Sequence, residues 1–453
     1  MTETGATRRR EQRETARPEK RERPVARPDG ETETTATRRT ERETSERDQL
    51  ARPDGETRRS NGMDVWGRDD RLNLDETERR FSVLSAYILM STMVLMINLT
   101  SSSVAFAAPT SFNVVDLGAK GDGRTDSTRA FLRAWESACA SPSSATIYVP
   151  QGRYLLNEVL FTGECKGRVT FKIDGTLVAP SDYHILGTSG KWITFNKVQG
   201  VSISGGILDG QGAGLWACKA AGKKCPFGAR SLEFTYSSEI TITGLTSMNS
   251  QIFHIVIHDC KNVKLQQVQV TASGNSPNTD GIHVQGSTDV TITQANIKTG
   301  DDCISIGPGT TNLWMENINC GPGHGISGSQ NGVRIKTWAR PSTGYVKGVL
   351  FEDIIINNAR NPIIIDQDYC PHNEGCPGQV SGVKISDVVY RNIRGSSGSQ
   401  VAMKFDCSPK APCSGIVLDN VDLTYESKSA SSSCINADGS AFGLVHPSSC
   451  LAA

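Results

Sequence analysis

Three aspartates in this 453-residue sequence have a spacing that could support acid–base catalysis. Asp280 stands 21 and 22 residues before the adjacent pair Asp301 and Asp302, an interval shared by the short β-rich segments around them. If these segments form stacked parallel coils, residues one coil apart lie about 4.8 Å apart on one face. Carboxylates so close raise the pKa of at least one of them, which leaves a protonated acid beside an ionised base. Hydrolysis of a glycosidic bond needs that combination, whereas the Asp301-Asp302 pair taken alone would more often be a solvent-facing turn.

Three basic residues follow at the same phase of the repeat. His324 stands between two glycines, and alone it would more often be a hydrogen-bonded turn histidine than a catalytic one. Arg334 and Lys336 are two positions apart, so in a strand their side chains project from the same face. Two neighbouring cations repel each other and therefore indicate an anion held between them, for which the carboxylate of a uronic acid is a natural candidate.

Short β-rich segments, repeated along the chain, must position these side chains. Equivalent apolar positions recur first every 23–27 residues and later every 33–36. A period of about 20–30 residues, with Asn, Asp or Gly turns and no intervening helices, predicts an all-β fold, a right-handed parallel β-helix. A propeller, the alternative, would need hairpin-connected units of about 40 residues with their own motif. The equivalent positions are Ile240, Val263, Val290, Leu313, Val349, Val383 and Ile416.

One helical pattern precedes the repeat. Asp126 or Ser127 can cap a helix that extends to about Ala140. Because the open end of a solenoid exposes unpaired strand edges, we expect this short N-terminal helix to cover the first coil. Its predicted apolar face consists of Ala130, Phe131, Ala134, Trp135 and Ala138.

Composition divides the chain into three segments. Residues 1–80 contain 20 Lys or Arg, 20 Asp or Glu and no Cys, which is typical of disorder, although an interaction tail or an artefact of the gene model are alternatives. Residues 81–107 are mostly apolar at first and end in Ala105-Phe106-Ala107, a pattern typical of a secretory signal. The same run could instead anchor the chain in a bilayer, and Met90 is an alternative start. The repeat occupies residues 108–453.

Cysteine usage supports export. All 13 cysteines follow Ala107, a density that predicts disulfides and an extracellular, cell-wall location. Cys260 lies in an apolar stretch and is expected to be a buried free thiol. We find no Cys or His spacing typical of metal sites, and zero net charge argues against nucleic acid as a partner. Proximity in sequence suggests the pairs Cys139–Cys165, Cys218–Cys225, Cys303–Cys320, Cys370–Cys376, Cys407–Cys413 and Cys434–Cys450.

The motifs resemble those of the polygalacturonases, which hydrolyse the backbone of pectin. NTD at 278–280, GDD at 300–302, GHG at 323–325 and RIK at 334–336 stand in the family's order, after an opening GAKGDGRTDST. NGVRIKTW, NPIIIDQDYC and CKAAGKKCPFGARSLEF are similar to the plant enzymes. The resemblance spans about residues 111–453. It implies a secreted monomer that hydrolyses the α-1,4-galacturonosyl linkages of de-esterified pectin with inversion, without a metal or an organic cofactor and without a stable membrane partner.

The resemblance also implies a role for each site residue. One carboxyl group would be the general acid, two would position and deprotonate the attacking water, and a histidine would support protonation of the acid. Two cations would bind the carboxylate of the galacturonate on the leaving-group side, and a tyrosine and an asparagine would contact substrate. The general acid would be Asp301, the residues that position the water would be Asp280 and Asp302, and the supporting histidine would be His324. The two cations would be Arg334 and Lys336, and the substrate contacts would be Tyr369 and Asn278.

One interval departs from the family's pattern. The predicted strand heads Ile282, Ile304, Ile326, Val333 and Ile363 are 22, 22, 7 and 30 residues apart. Seven residues reach at most about 25 Å, so about one coil is absent after GHGIS. We expect VRIK to take the place of the HGIS strand and preserve a continuous core; the alternative is a solenoid that breaks there. Catalytic sites tolerate errors of only about 1 Å, so we also expect little or no activity from the chain as written.

Two other functions remain as alternatives at this point. A non-catalytic wall-binding homologue would keep the motif residues without their working geometry. A calcium-dependent pectate lyase shares the fold, but it would need an acidic Ca²⁺ site and an arginine base. New reducing ends without ultraviolet-absorbing unsaturated ends would indicate hydrolysis, both products would indicate elimination, and neither would indicate a binding protein.

Overall fold

The computed structural model describes residues 86–93, 110–321, 330–370, 378–426 and 428–452. The chain divides into two units, Met1–Ser101 and Ser102–Ala453. Residues 86–93 of the first unit are helical, and among the described residues no helix is long and apolar enough to cross a membrane. The predictions for residues 1–80, for the end of the signal and for His324 and HGIS lie outside the described residues.

The second unit consists mainly of short strands, several of which show a two-residue period of burial. In the strand ATIYV, for example, Ala145, Ile147 and Val149 are buried, while Thr146 and Tyr148 are partly exposed. Up to residue 321 the helices are α1 (Thr128–Ala140), α2 (Tyr183–Gly187) and α3 (Ala213–Ala220). The strands there are β1 (Thr110–Asn113), β2 (Asp122–Asp126), β3 (Ala145–Val149), β4 (Arg153–Leu155), β5 (Val159–Thr162), β6 (Val169–Val178), β7 (Lys191–Asn196), β8 (Val201–Asp209), β9 (Arg230–Thr235), β10 (Ser238–Thr243), β11 (Thr246–Met248), β12 (Ile255–His258), β13 (Lys261–Gln266), β14 (Gln269–Thr271), β15 (Ile282–Gln285), β16 (Thr288–Thr293), β17 (Asn296–Lys298), β18 (Ile304–Ile306), β19 (Thr311–Glu316) and β20 (Asn319–Cys320).

These strands stack in parallel ladders. One sheet has the order β18-β15-β12-β9-β7-β5. Two further ladders, β19-β16-β13-β10-β8 and β8-β11-β14-β17-β20, join at the long strand β8 within a 14-stranded sheet. Successive coils thus lie directly above one another, and the prediction of an all-β parallel β-helix is confirmed.

The predicted register is also confirmed in this part of the chain. The structure pairs Ile240 with Val263, Val263 with Val290, and Val290 with Leu313. The residue before each of these positions adopts a left-handed conformation, with φ between 51° and 57°. Asn and Asp tolerate this conformation better than most residues, which explains why they recur at the turn. These residues are Glu239, Asn262, Asp289 and Asn312.

Helix α1 closes the N-terminal end of the core. All five residues of its predicted apolar face are buried in the same hydrophobic cluster as the first strands. Trp135 contacts Phe161, Phe171 and Phe195, with ring centroids 5.3–6.1 Å apart. The prediction of a capping helix is therefore confirmed.

The remaining strands form a second pair of parallel sheets, ordered β21-β23-β25-β28 and β22-β24-β26, with β29 paired to β26 and the short antiparallel β27 beside it. Here the predicted equivalence of Val349 with Val383 is wrong: Val349 pairs with Val388, and Val388 with Ile416. Asp353-Ile354 and Asp387-Val388 follow Val349 and Val383 at the same distance, which explains the five-residue error in the predicted register. The strands are β21 (Asn331–Trp338), β22 (Gly344–Ala359), β23 (Asn361–Tyr369), β24 (Val383–Ser397), β25 (Val401–Asp406), β26 (Cys413–Tyr425), β27 (Lys428–Ser429), β28 (Ser431–Ile435) and β29 (Ala437–His446).

The described strands on the two sides of residues 322–329 lie in different sheets, and we call this boundary the interruption. Among the described strands, none of those before residue 321 pairs with one after residue 330, and the buried apolar residues form two separate clusters. Ile306 is 53% exposed, whereas its partner on the preceding coil, Val284, is fully buried. On the other side, Phe351 is half-buried while its partner Tyr390 is fully buried. The expectation that VRIK would continue the first sheet is therefore wrong, because β21 starts a sheet of its own.

Five of the predicted disulfides are present with S–S distances of 1.93–2.05 Å, and Cys260 is a buried free thiol, as predicted. Cys370 is also disulfide-bonded, while its predicted partner Cys376 lies outside the described residues. The five pairs are Cys139–Cys165, Cys218–Cys225, Cys303–Cys320, Cys407–Cys413 and Cys434–Cys450.

Candidate active site

Asp280 and Asp302 occupy equivalent positions on neighbouring coils. Each lies two residues before a strand, β15 or β18, and the register pairs Ile282 with Ile304. The Gly281 amide donates a 2.9 Å hydrogen bond to the carbonyl oxygen of Asp302, which joins the two turns directly. The structure thus brings together the two carboxylates that the sequence spacing singled out.

A hydroxyl-rich contact holds these two turns in place. Thr279 Oγ1 accepts hydrogen bonds from the Thr299 hydroxyl at 2.7 Å and from the Gly300 amide at 3.1 Å. Gly300 permits this approach, because a Cβ at that position would lie 2.0 Å from the carbonyl oxygen of Ser276. The NTD and GDD motifs are separate in the sequence, and their spacing did not predict that Thr299 links them.

Asp280 is the most buried of the three aspartates, with 7% of its surface exposed. Burial, followed by the neighbouring Asp301 carboxylate, raises the pKa of Asp280 to about 7. Asp302 acts in the same direction, while a hydrogen bond from Ser305 and the charge of Lys336 oppose the rise in pKa. The mutual effect of the carboxylates is the one that their stacking predicts.

Asp301 and Asp302 are both half-buried. Asp301 Oδ1 accepts a 2.8 Å hydrogen bond from the Asp302 backbone amide, which fixes the orientation of the Asp301 carboxyl group. Asp302 Oδ2 lies 3.2 Å from Nζ of Lys336, on strand β21 across the interruption. An ion pair therefore connects the acidic turns of the first region with the basic strand of the second.

Arg334, Lys336 and Tyr369 meet on adjacent strands. The centre of the Tyr369 ring lies 5.2 Å from the guanidinium carbon of Arg334 and 5.1 Å from Nζ of Lys336. Tyr369 is on β23, where it pairs with Trp338 of β21. An aromatic ring within about 6 Å attracts cations and limits their motion. The three side chains form a positively charged surface, which we call the cationic patch, next to Asp302.

The two remaining predicted residues are Asn278 and His324. Asn278 is exposed and has a left-handed backbone with φ of 56°, so its conformation shapes the turn that leads into Asp280. His324 lies outside the described residues, and its predicted support of the acid stays a prediction.

Three polar residues on the outer face of β15 and β18 were not predicted from the sequence. His283 Nδ1 lies 2.8 Å from Ser305 Oγ, and His283 Nε2 lies 3.3 Å from Gln285 Oε1. The Ser305 hydroxyl in turn opposes the rise in the pKa of Asp280. The two-residue period places His283 and Gln285 outside the core, but the sequence contains no signal that the chain leads to Asp280.

The arrangement combines carboxyl groups of different environment with a site for an anion. A carboxyl with a raised pKa beside other carboxylates suits proton transfer during hydrolysis. Among the described residues, no group of three or more Asp, Glu, His or Cys side chains is arranged to hold a metal ion. The absence of a metal cofactor stays a prediction.

A parallel β-helix with stacked carboxylates beside two cations is suited to the degradation of an acidic carbohydrate. The model of glycosyl hydrolases family 28 matches residues 139–329 and 326–450. The chain belongs to this family. The two matched segments meet at residues 326–329, within the interval where the coil spacing is shortened.

Similar proteins from plants include a polygalacturonase of Prunus persica, 55% identical over 393 residues, covering 81% of this chain and 99% of that protein. An exopolygalacturonase of Platanus acerifolia is 41% identical, covering 72% of this chain and 93% of that protein. In the first comparison, 81% of this 453-residue chain is about 367 residues, so about 26 of the 393 aligned positions have no counterpart here. That length is close to one coil.

Two solved structures resemble the fold. An endo-xylogalacturonan hydrolase from Aspergillus tubingensis has a TM-score of 0.63 at 23% identity, covering 72% of this chain and 98% of that chain. A polygalacturonase from Erwinia carotovora has a TM-score of 0.56 at 20% identity, covering 73% and 99%. Both likenesses support the β-helical architecture.

Proposed function

We propose that this protein hydrolyses the α-1,4-galacturonosyl linkages of de-esterified pectin with inversion of the anomeric carbon, in cell-wall remodelling. The contact of Lys336 with Asp302 carries the proposal, because it puts a cation that can bind a uronate next to the carboxyl groups that can cleave a glycosidic bond. The family match and the plant relatives named polygalacturonase support the substrate class. They favour this function over a non-catalytic or impaired homologue.

In the proposed mechanism, Asp301 donates a proton to the leaving oxygen. Asp280 and Asp302 orient a water molecule and accept its proton as it attacks the opposite face of the sugar. Arg334 and Lys336 bind the carboxylate of the sugar on the leaving-group side, and Tyr369 contacts the substrate. His324 supports the protonation of Asp301, and Asn278 contacts the substrate.

The division of roles between Asp301 and Asp280 has a specific test. A pKa of about 7 at Asp280 would also suit an acid, whereas the resemblance makes Asp301 the acid. Substrates with an activated leaving group no longer need a general acid, so they should restore much of the activity of Asp301→Asn and little of that of Asp280→Asn. The reverse pattern would exchange the two roles.

The reaction itself is tested on de-esterified polygalacturonate. We expect new reducing ends without unsaturated products, formed at the low rate that the shortened interval predicts, and an initial product of inverted anomeric configuration in proton NMR. Unsaturated ends that depend on added Ca²⁺ would instead indicate a lyase. Binding without new ends would indicate a wall-binding protein.

The proposed setting is the plant cell wall, with the protein secreted as a monomer. Five disulfides among the described residues are typical of a protein that folds in an oxidising compartment. Pectin is then the partner, reached after cleavage of the signal in residues 81–107. Fractionation of plant tissue and light scattering of the purified protein test the location and the monomer.

A further inference from the structure

A chain of four polar side chains extends from Asp280 along the outer face of two coils. The Ser305 hydroxyl acts on the Asp280 carboxyl group as a donor that opposes the rise in its pKa, and Ser305 Oγ lies 2.8 Å from Nδ1 of His283. His283 Nε2 lies 3.3 Å from Oε1 of Gln285. The register that pairs His283 with Ser305 on neighbouring strands creates this alignment.

The surroundings of His283 determine which ring nitrogen exchanges a proton. The ring stacks on Phe253 with centroids 5.1 Å apart, which limits its rotation. Gln285 Oε1 can only accept a hydrogen bond, so Nε2 carries a hydrogen and donates it. Nδ1, which faces Ser305, is therefore the nitrogen that gains or loses a proton.

We propose that Ser305 and His283 form a proton-sharing chain behind Asp280, so that His283 can hold the proton of the Asp280 carboxyl group. The step breaks the O–H bond of Asp280 while the Ser305 oxygen gains that proton. At the same time the original Ser305 O–H bond breaks and an N–H bond forms at Nδ1 of His283. The neutral pair becomes a carboxylate and an imidazolium, with no change in total charge and with every hydrogen bond of the chain retained.

This role rests on the proposed function, in which Asp280 must be ionised to accept a proton from water. Burial raises the pKa of Asp280 and lowers the pKa of His283, so each group alone resists becoming charged. Linked through Ser305, the two groups become charged together, as neighbours of opposite sign, and stabilise each other. The chain therefore keeps Asp280 available as a base below the pH at which it would otherwise be protonated.

Other charged groups act on the two ends of the chain. Asp301 and Asp302 oppose ionisation of Asp280, and Lys336 favours it. His258 and Arg230 oppose protonation of His283, and Asp302 favours it. Asp302 thus opposes the ionisation of Asp280 and favours the protonation of His283. Ser305 supplies the direct link between these two groups.

The test is the pH dependence of kcat/KM on polygalacturonate for wild type, Ser305→Ala, His283→Phe and the double variant. His283→Phe keeps the stacking on Phe253 and removes the proton acceptor. Each single variant should move the acid limb of the profile to higher pH by about one unit, as expected for the loss of one hydrogen bond to a charged group. The double variant should show no further shift, because either change alone breaks the chain.

Ser305→Thr retains the hydroxyl and should restore the wild-type acid limb. Thr291→Ala, on the outer face of β16, is the matched control for loss of a hydroxyl on a strand. If Ser305→Ala does not fold, the same test rests on the other two variants. The acid limb of the pH profile should shift in His283→Phe and should not shift in Ser305→Thr. Additive shifts in the double variant, or unshifted limbs in both single variants, would overturn the proton-sharing chain. An absence of reducing ends in wild type would instead overturn the proposed function.

Discussion

The two regions of the β-helix stack their coils differently. Up to Cys320 the strands after β8 contain two to six residues, and the coils repeat every 22–27 residues. From Asn331 onward, β22, β24 and β26 contain 16, 15 and 13 residues. The aspartates end the first region and the cationic patch begins the second. The site therefore depends on how the two regions meet, while each region is built on a regular core of its own.

The largest predicted effect concerns the acid in the first region. In a chain that carries the additional coil described below, Asp301→Asn should keep the fold and lower turnover by about 10² to 10⁴, the usual contribution of general acid catalysis. Reducing-end assays on polygalacturonate measure the change. Asp289→Asn, at a half-buried position on β16 in the same region, is the matched control. Unchanged turnover in Asp301→Asn would remove this residue from the chemistry.

The second prediction tests the interruption itself. One coil copied from a polygalacturonase relative and inserted after Ser327 should allow the two sheets to stack continuously and cover apolar side chains such as Ile306. Activity should rise by roughly 10²-fold, because misplacement of catalytic groups by about 1 Å already lowers rates by that factor. The melting temperature should rise as well.

A flexible Gly/Ser segment of equal length at the same position is the control for this insertion. It relaxes the connection without adding strands, so it should improve neither activity nor melting temperature. Equal activity of the native chain and the coil-extended chain would show that the two regions already meet in a working geometry.

The third prediction contrasts the cationic patch with the acids. Lys336→Ala should weaken transition-state binding of de-esterified polygalacturonate by about 1.5–3 kcal/mol, as for one charge-assisted hydrogen bond. Methyl-esterified pectin lacks the carboxylate, so it should be a poorer substrate and should lose much less on mutation. Lys264→Ala, on β13 away from the site, is the control. Equal losses on both polymers would contradict a carboxylate clamp.

The smallest predicted effect is on stability. The pKa of Asp280 is raised from 3.8 to about 7, so folding favours its neutral form. This contribution is fully present below pH 3.8 and is lost as the pH rises through 7. Asp280→Asn stays neutral, so relative to wild type its free energy of unfolding should increase by about 1–3 kcal/mol between pH 4 and pH 8.

Urea unfolding at the two pH values measures this difference. Asp387→Asn, at an exposed position of the second region, is the control, because a surface side chain contributes little to such a change. A relative stability of Asp280→Asn that does not change with pH would show that the buried carboxyl is not destabilising when ionised.

The sequence alone determined the repeat and the spacing of the acids. Strand segments with a two-residue burial pattern recur at one coil length, so the equivalence of Ile240, Val263, Val290 and Leu313 follows from local pattern. The capping helix and five disulfides were predictable for the same reason, because their partners are close in sequence or lie on one face of a single element. The motifs were sufficient to indicate the chemistry of the site.

Only the tertiary structure decided how the coils meet. The interruption, the Lys336–Asp302 contact and the chain from Asp280 to His283 depend on residues that are distant in sequence or lie on different coils. A shortened interval shows that a coil is absent, but it does not show whether the following strand fills the space or begins a new sheet. That outcome depends on which arrangement buries more apolar surface and pairs more backbone groups, and both are properties of the assembled solenoid.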